Sequence, residues 1–101
     1  MENHENCAVT KTIKVIGSKW TMLILHHLTD GTKRFGELQR ELKGISPKTL
    51  SQRLQELERE KMVSKKVFAE VPLHVEYSLT DKGKSVGKIF TEMARFSSQS
   101  L

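Results

Sequence analysis

The chain is 101 residues long, 37% hydrophobic and 29% charged, the composition of one small globular domain with a modest core. No apolar run approaches the roughly 20 residues that cross a bilayer, and the single cysteine, Cys7, excludes an internal disulfide and fits a reducing compartment. The formal net charge of +5 is modest, so its placement carries the information.

The opening residues, MENHENCAVTK, lack the basic start and apolar centre of a secretory signal; a cytoplasmic protein is expected, with a polar, frayed lead up to about Cys7. Val9, Ile13 and Ile16 recur at helical spacing and predict a short amphipathic helix over 8–16, broken by Gly17 and Ser18. A second helix is expected from about Lys19 to Leu28, with Trp20, Leu23, Ile24 and Leu28 on one face and Asp30-Gly31 as its stop. His26 and His27 are adjacent and face different sides of it. They cannot form a metal pair, and the expectation is that one packs near a dimer seam while the other is solvated.

Phe35, Leu38 and Leu42 predict a third helix, opened by the basic pair Lys33-Arg34 and closed by Gly44. The fourth, over 45–60, has the clearest beginning. Ser46 can cap it, and Pro47 suits its first position, where a missing N–H costs nothing. Leu50, Leu54 and Leu57 form a narrow apolar stripe, and the rest of the first turns is polar: Lys48, Thr49, Ser51, Gln52, Arg53 and Gln55. Ser, Thr, Gln and Arg hydrogen-bond base edges and phosphates. Two helices joined by a tight glycine-containing turn, the second rich in such side chains, outline a helix-turn-helix.

The period then changes to two. Val63, Lys65 and Val67 alternate with Ser64, Lys66 and Phe68, and Leu73, Val75, Tyr77 and Leu79 alternate with His74, Glu76 and Ser78. With Pro72 between the runs, this predicts a β-hairpin, a wing carrying Lys65 and Lys66 on its first strand. Thr80 caps a last helix running from Asp81 toward Ser97. Its apolar residues, Val86, Ile89, Phe90, Met93 and Phe96, exceed what one small core covers, so a partner chain is expected on part of the stripe.

All of the excess charge falls in residues 33–66, which hold ten Lys or Arg against five Glu. Positive charge around a polar-faced helix suits a surface that neutralises phosphates. An acidic protein would also fit it; a membrane surface fits less well, because no basic helix carries a broad aromatic face. The chain has no cysteine cluster, carboxylate–histidine set or glycine-rich phosphate loop, so neither an enzyme, a metal site nor a cofactor is expected; Glu56, Glu58 and Glu60 read as an ordinary charged face.

Four stretches carry a family resemblance: VIGSKWTMLILHHL at 15–28, RFGELQREL at 34–42, GISPKTLSQRLQELE at 44–58 and PLHVEYSLTDKG at 72–83. With them the chain, from Cys7 to about Phe96, resembles the HxlR-type family of winged helix-turn-helix transcriptional regulators, relatives of the MarR group. The resemblance implies a mainly α fold with a small β-hairpin in one domain over 1–101. A DNA-binding core at about 19–80 would be flanked by dimerisation helices at about 8–16 and 81–97. It further implies a homodimer on a palindromic operator in double-stranded DNA, expected to act as a repressor. Ser46, Lys48, Thr49, Ser51, Gln52 and Arg53 would then meet the major groove, with Arg34, Lys65 and Lys66 on flanking phosphates. Val9, Ile13, Val86, Ile89, Phe90, Met93 and Phe96 would form the dimer interface. The rival reading is a winged helix whose basic face serves an acidic protein, without the salt dependence of a DNA reader.

In several such regulators a cysteine just ahead of the first helix senses oxidants or small electrophiles, and Cys7 stands in the matching place. Pro commonly follows it there, whereas this chain has Ala8. The helix start near Ala8 and Lys11 one turn on would both lower the thiol pKa; a cysteine that merely packs at the dimer edge is the plainer alternative.

Overall fold

The computed structural model describes residues 7–101, and the expected frayed lead, residues 1–6, lies outside them. The element order is α1 (Ala8–Ile16), α2 (Lys19–Leu28), β1 (Lys33–Arg34), α3 (Phe35–Glu41), α4 (Pro47–Arg59), β2 (Val63–Phe68), β3 (His74–Leu79) and α5 (Asp81–Ser100).

Three helices start at a hydroxyl that accepts from an orphaned backbone N–H. Ser18 takes the amide of Thr21, Ser46 that of Thr49 and Thr80 that of Gly83, each at 3.1 Å. Gly44, at φ 93°, supplies the left-handed turn that lets α3 hand over to α4. The far end of α4 closes in a Schellman arrangement. Lys61 donates to the Glu58 carbonyl and Met62 to that of Leu57, both at 2.9 Å, with Lys61 held at φ 61°, where glycine is the usual occupant.

One core joins all these pieces. Ile24, Leu25, Leu38, Leu50, Leu54 and Leu57 are essentially sealed from solvent, so α2, α3 and α4 pack their apolar stripes on one another. Met62, Val63, Tyr77 and Val86 close it from the sheet and α5. The result is a helix-turn-helix with a small sheet beside it, the winged arrangement expected.

Four details differ from the sequence expectations. Lys33 and Arg34 do not open α3. They pair as a short strand with the free edge of β3, Lys33 opposite Tyr77 and Arg34 opposite Glu76, so the hairpin becomes a three-stranded antiparallel sheet in the order β1-β3-β2. The helix starts two residues later, at Phe35, where Glu37 Oε1 accepts from the Arg34 amide at 2.9 Å.

The buried face of α2 is Thr21, Ile24, Leu25 and Leu28, leaving Trp20 and Leu23 half-buried at its margin. Thr21 can turn inward because the Ser18 hydroxyl donates to its Oγ1 at 2.8 Å, satisfying a polar atom that would otherwise be lost to water. Strand β3 starts at His74, and Leu73 stays exposed in the turn, where the wing has already left the core. Helix α5 runs on to Ser100.

The histidine pair is also more engaged than expected. His26 meets Phe90 edge to face at 5.7 Å, and His27 Nδ1 lies 2.8 Å from Glu41 Oε1. Lys33 Nζ donates to the other oxygen of Glu41 at 3.0 Å, so one carboxylate ties α2, β1 and α3 together. The bond from His27, and then that from Lys33, holds the Glu41 carboxyl below its ordinary value of 4.5. A depressed carboxyl contributes stability above its unfolded pKa and loses it as pH falls through the folded one. Urea midpoints should therefore drop below pH 4.5 in the unmodified protein. Glu41→Gln should start from a lower midpoint at neutral pH and show a flatter acid limb.

Candidate nucleic-acid interface

The setting of α4 follows from its leucines. Leu50 is 0% exposed, and Leu54 and Leu57 are 1% exposed. At 3.6 residues per turn the opposite face carries Lys48, Gln52, Gln55 and Arg59, all exposed. Thr49, Arg53 and Glu56 lie along one shoulder and Ser51 and Glu58 along the other, each half-buried.

The six expected α4 groove residues are therefore not equivalent. Lys48 and Gln52 point straight out. Ser46 spends its hydroxyl on the helix start, accepting from the Thr49 amide and donating to Thr49 Oγ1 at 3.0 Å. Arg53 is drawn sideways, its Nη1 donating to both oxygens of Glu56 at 3.0 and 3.2 Å, while its buried Nε finds no partner among the described residues. Gln55 and Arg59 complete the outward stripe and were absent from the expected site. The signal for them was present, since both sit opposite the leucines in the helical repeat.

The sheet sorts the flanking cations into two rows, because residues directly opposite on antiparallel strands share a face. Lys33, Tyr77 and Lys65 form one row. Tyr77 is buried in the core, and its hydroxyl pKa is raised by that burial and secondarily by Glu58, so this row faces the helices. Arg34, Glu76 and Lys66 form the row on the outer face. Arg34, Lys65 and Lys66 thus do not make one cluster, and a carboxylate stands between two of them. Glu76 pairs with His74 Nε2 at 3.2 Å. His74 stacks on Phe68 at 4.6 Å, and Lys66 Nζ lies 5.0 Å from the centre of the same ring.

Away from this surface, α1 and α5 keep apolar residues in the open. Val9, Ile13, Met93 and Phe96 are exposed by about half or more, and Ile89 by 41%. Val9, Ile13, Ile89 and Met93 border a groove of about 580 Å³ between α1 and α5, lined also by Ile16 and Met22. Val86 turns inward to this chain's own core, and Phe90 is half-buried against it. Cys7 occupies the cap position of α1, half-exposed and without a formed side-chain cap bond. The backbone amides of Thr10 and then Val9 lower its thiol pKa from the ordinary 9.0.

The sequence pattern described as HxlR-like helix-turn-helix matches residues 15–101. The HTH-type transcriptional regulator YvaP of Bacillus subtilis (strain 168) is 37% identical over 100 residues, covering 98% of this chain and 93% of its own. Among solved structures, a MarR-family transcriptional regulator from Porphyromonas gingivalis W83 superposes with a TM-score of 0.92 at 39% identity, covering 100% of this chain and 99% of that one. The redox regulator HypR in its oxidized form superposes with a TM-score of 0.86 at 37% identity, over 94% of this chain and 98% of that one.

Proposed function

The chain belongs to the HxlR-like helix-turn-helix family of transcriptional regulators, and on that premise we propose that it is a homodimer whose two α4 helices read successive major grooves of a palindromic operator. The observation that carries this reading is the outward stripe of Lys48, Gln52, Gln55 and Arg59, opposite leucines that cannot move. Gln52 and Gln55 suit base edges, while Lys48 and Arg59 suit phosphates or guanine. Lys65 and Lys66 of the wing and Arg34 of β1 serve flanking phosphates, so the unit from 19 to 80 binds DNA. Helices α1 and α5 pair with those of the second protomer, covering Val9, Ile13, Ile89, Met93 and Phe96, with Phe90 at the margin. Occupying an operator in this way suits a repressor.

Cys7 supplies the regulation. Its thiol, lowered by the α1 amides, reacts as thiolate with a small oxidant or electrophile beside the dimer seam. HypR, a redox regulator by name, supports this assignment. The two reading helices must lie about 34 Å apart, so an adduct that rotates one protomer misplaces it in its groove.

Three measurements test this. On the duplex that the protein enriches from random sequence, Gln52→Ala should cost about 1–3 kcal/mol and relax preference at one position. Lys65→Ala should weaken all duplexes alike and lower the salt slope by about one. Equal losses on enriched and random DNA for both variants would remove the distinction between reader and positioner, and flat binding across sequences would favour a protein-binding module.

Met93→Asp should give monomers or aggregates in sedimentation and abolish operator binding, since charge is intolerable in a buried seam. A well-folded monomer of the unmodified protein at micromolar concentration overturns the dimer. Treatment with a quinone or diamide should lower operator affinity, with reductant reversing the diamide effect, while Cys7→Ser stays bound. If the two proteins respond alike, Cys7 is not the sensor.

A further inference from the structure

The stretch PLHVEYSLTDKG at 72–83 runs from the wing into α5, and its last four residues are the cap and first turn of that helix. They meet the far end of α4. Three consecutive carbonyls leave that end, those of Glu60, Lys61 and Met62, and α5 with its cap residue Thr80 satisfies all three. Lys82 Nζ donates to the Glu60 carbonyl at 2.7 Å. The Thr80 hydroxyl donates to the Lys61 carbonyl at 2.6 Å, and the Thr80 amide to that of Met62 at 3.0 Å. The same hydroxyl accepts from the Gly83 amide, so one side chain caps the C-terminal end of α4 and the start of α5 together. Gly83 is pressed against the Met62 carbonyl so closely that a Cβ there would collide with backbone. The cationic Lys82 also lies where the negative end of the α4 dipole favours it.

We propose that Thr80 and Lys82 are positioning residues for operator reading: they form a joint that holds α4 at one angle to α5. This rests on the dimeric operator reading, in which α5 belongs to the seam and α4 to the groove. A rigid joint makes the separation and tilt of the two reading helices a property of the dimer. It also carries any rotation at the seam, including one begun at Cys7, directly to the groove. A loose joint would let each α4 find its half-site independently, and the protein would lose its sense of half-site spacing.

The test compares two pairs of variants. Lys82→Arg and Thr80→Ser keep a donor; Lys82→Met, at an exposed position, and Thr80→Val remove it. Each protein is titrated with the enriched duplex at its selected half-site spacing, with the same duplex lengthened by one base pair between half-sites, and with a single half-site. The unmodified protein and the donor-keeping variants should prefer the selected spacing by about tenfold. Lys82→Met and Thr80→Val should bind the single half-site nearly as before, with their spacing preference reduced to about threefold or less. Full spacing preference in both, or equal losses on half-site and palindrome, overturns the joint.

A second readout needs no DNA. Spin labels at Gln52→Cys and Ser97→Cys, in a Cys7→Ser background diluted with unlabelled protein, report the distance between α4 and α5. That distribution should broaden with Lys82→Met, and an unchanged width overturns the proposal. Should the protein enrich no duplex while the labels still broaden, the operator reading fails and the joint stands.

Discussion

Burial of the α4 leucines is the constraint from which the rest of this structure follows. Leu50, Leu54 and Leu57 are almost wholly removed from water, and each such side chain stabilises the fold by roughly 1.5–3 kcal/mol relative to exposure. Rotating α4 about its axis would exchange them for lysine, glutamine and arginine, at the cost of both apolar burial and desolvated polar groups. The helix therefore has a single setting. Its outward face is whatever the repeat places opposite the leucines, and that face is polar and basic.

Electrostatics around this face are more mixed than net charge suggests. Ten cations fall within residues 33–66, two of them held in ion pairs within the chain and two more set beside a carboxylate. Lys33 is bound to Glu41 and Arg53 to Glu56, and Lys66 and Arg34 flank Glu76. Such pairs near a surface add little stability individually. Their consequence is for recognition: Lys48, Arg59 and Lys65 are among the eight cations of this segment that stand outside the ion pairs of the described residues. A positive surface that is locally neutralised discriminates geometry better than a uniform one, because a phosphate gains only where a free cation stands.

The apolar stripe of α5 is divided between two destinations. Val86 and Phe90 serve this chain's core, whereas Ile89, Met93 and Phe96 remain in water beside Val9 and Ile13. Exposed apolar residues on two helices that border one groove are more than scattered surface hydrophobics. The joint at Thr80 and Lys82 makes this division consequential, since α5 begins on the carbonyls that end α4.

Local chemistry was legible in the residues themselves. The caps at Ser46 and Thr80, the proline opening α4, the leucine period and the switch to alternation in the wing need only near neighbours, and the helices start where those residues place them. The outward face of α4 was legible too, since the helical repeat places Gln55 and Arg59 opposite the leucines as it does Lys48 and Gln52. What needed the tertiary structure were contacts between distant segments. Lys33 and Arg34 are helix-compatible by themselves and became a strand because β3 offered an unpaired edge more than forty residues away. Thr21 was buried because a neighbouring hydroxyl satisfied it, and the α2 face turned accordingly. Gly83, an ordinary early helix residue by sequence, is held to glycine by the Met62 carbonyl in the turn that follows α4. Periodicity reports what one element buries; which backbone it meets depends on how separate elements come together in space.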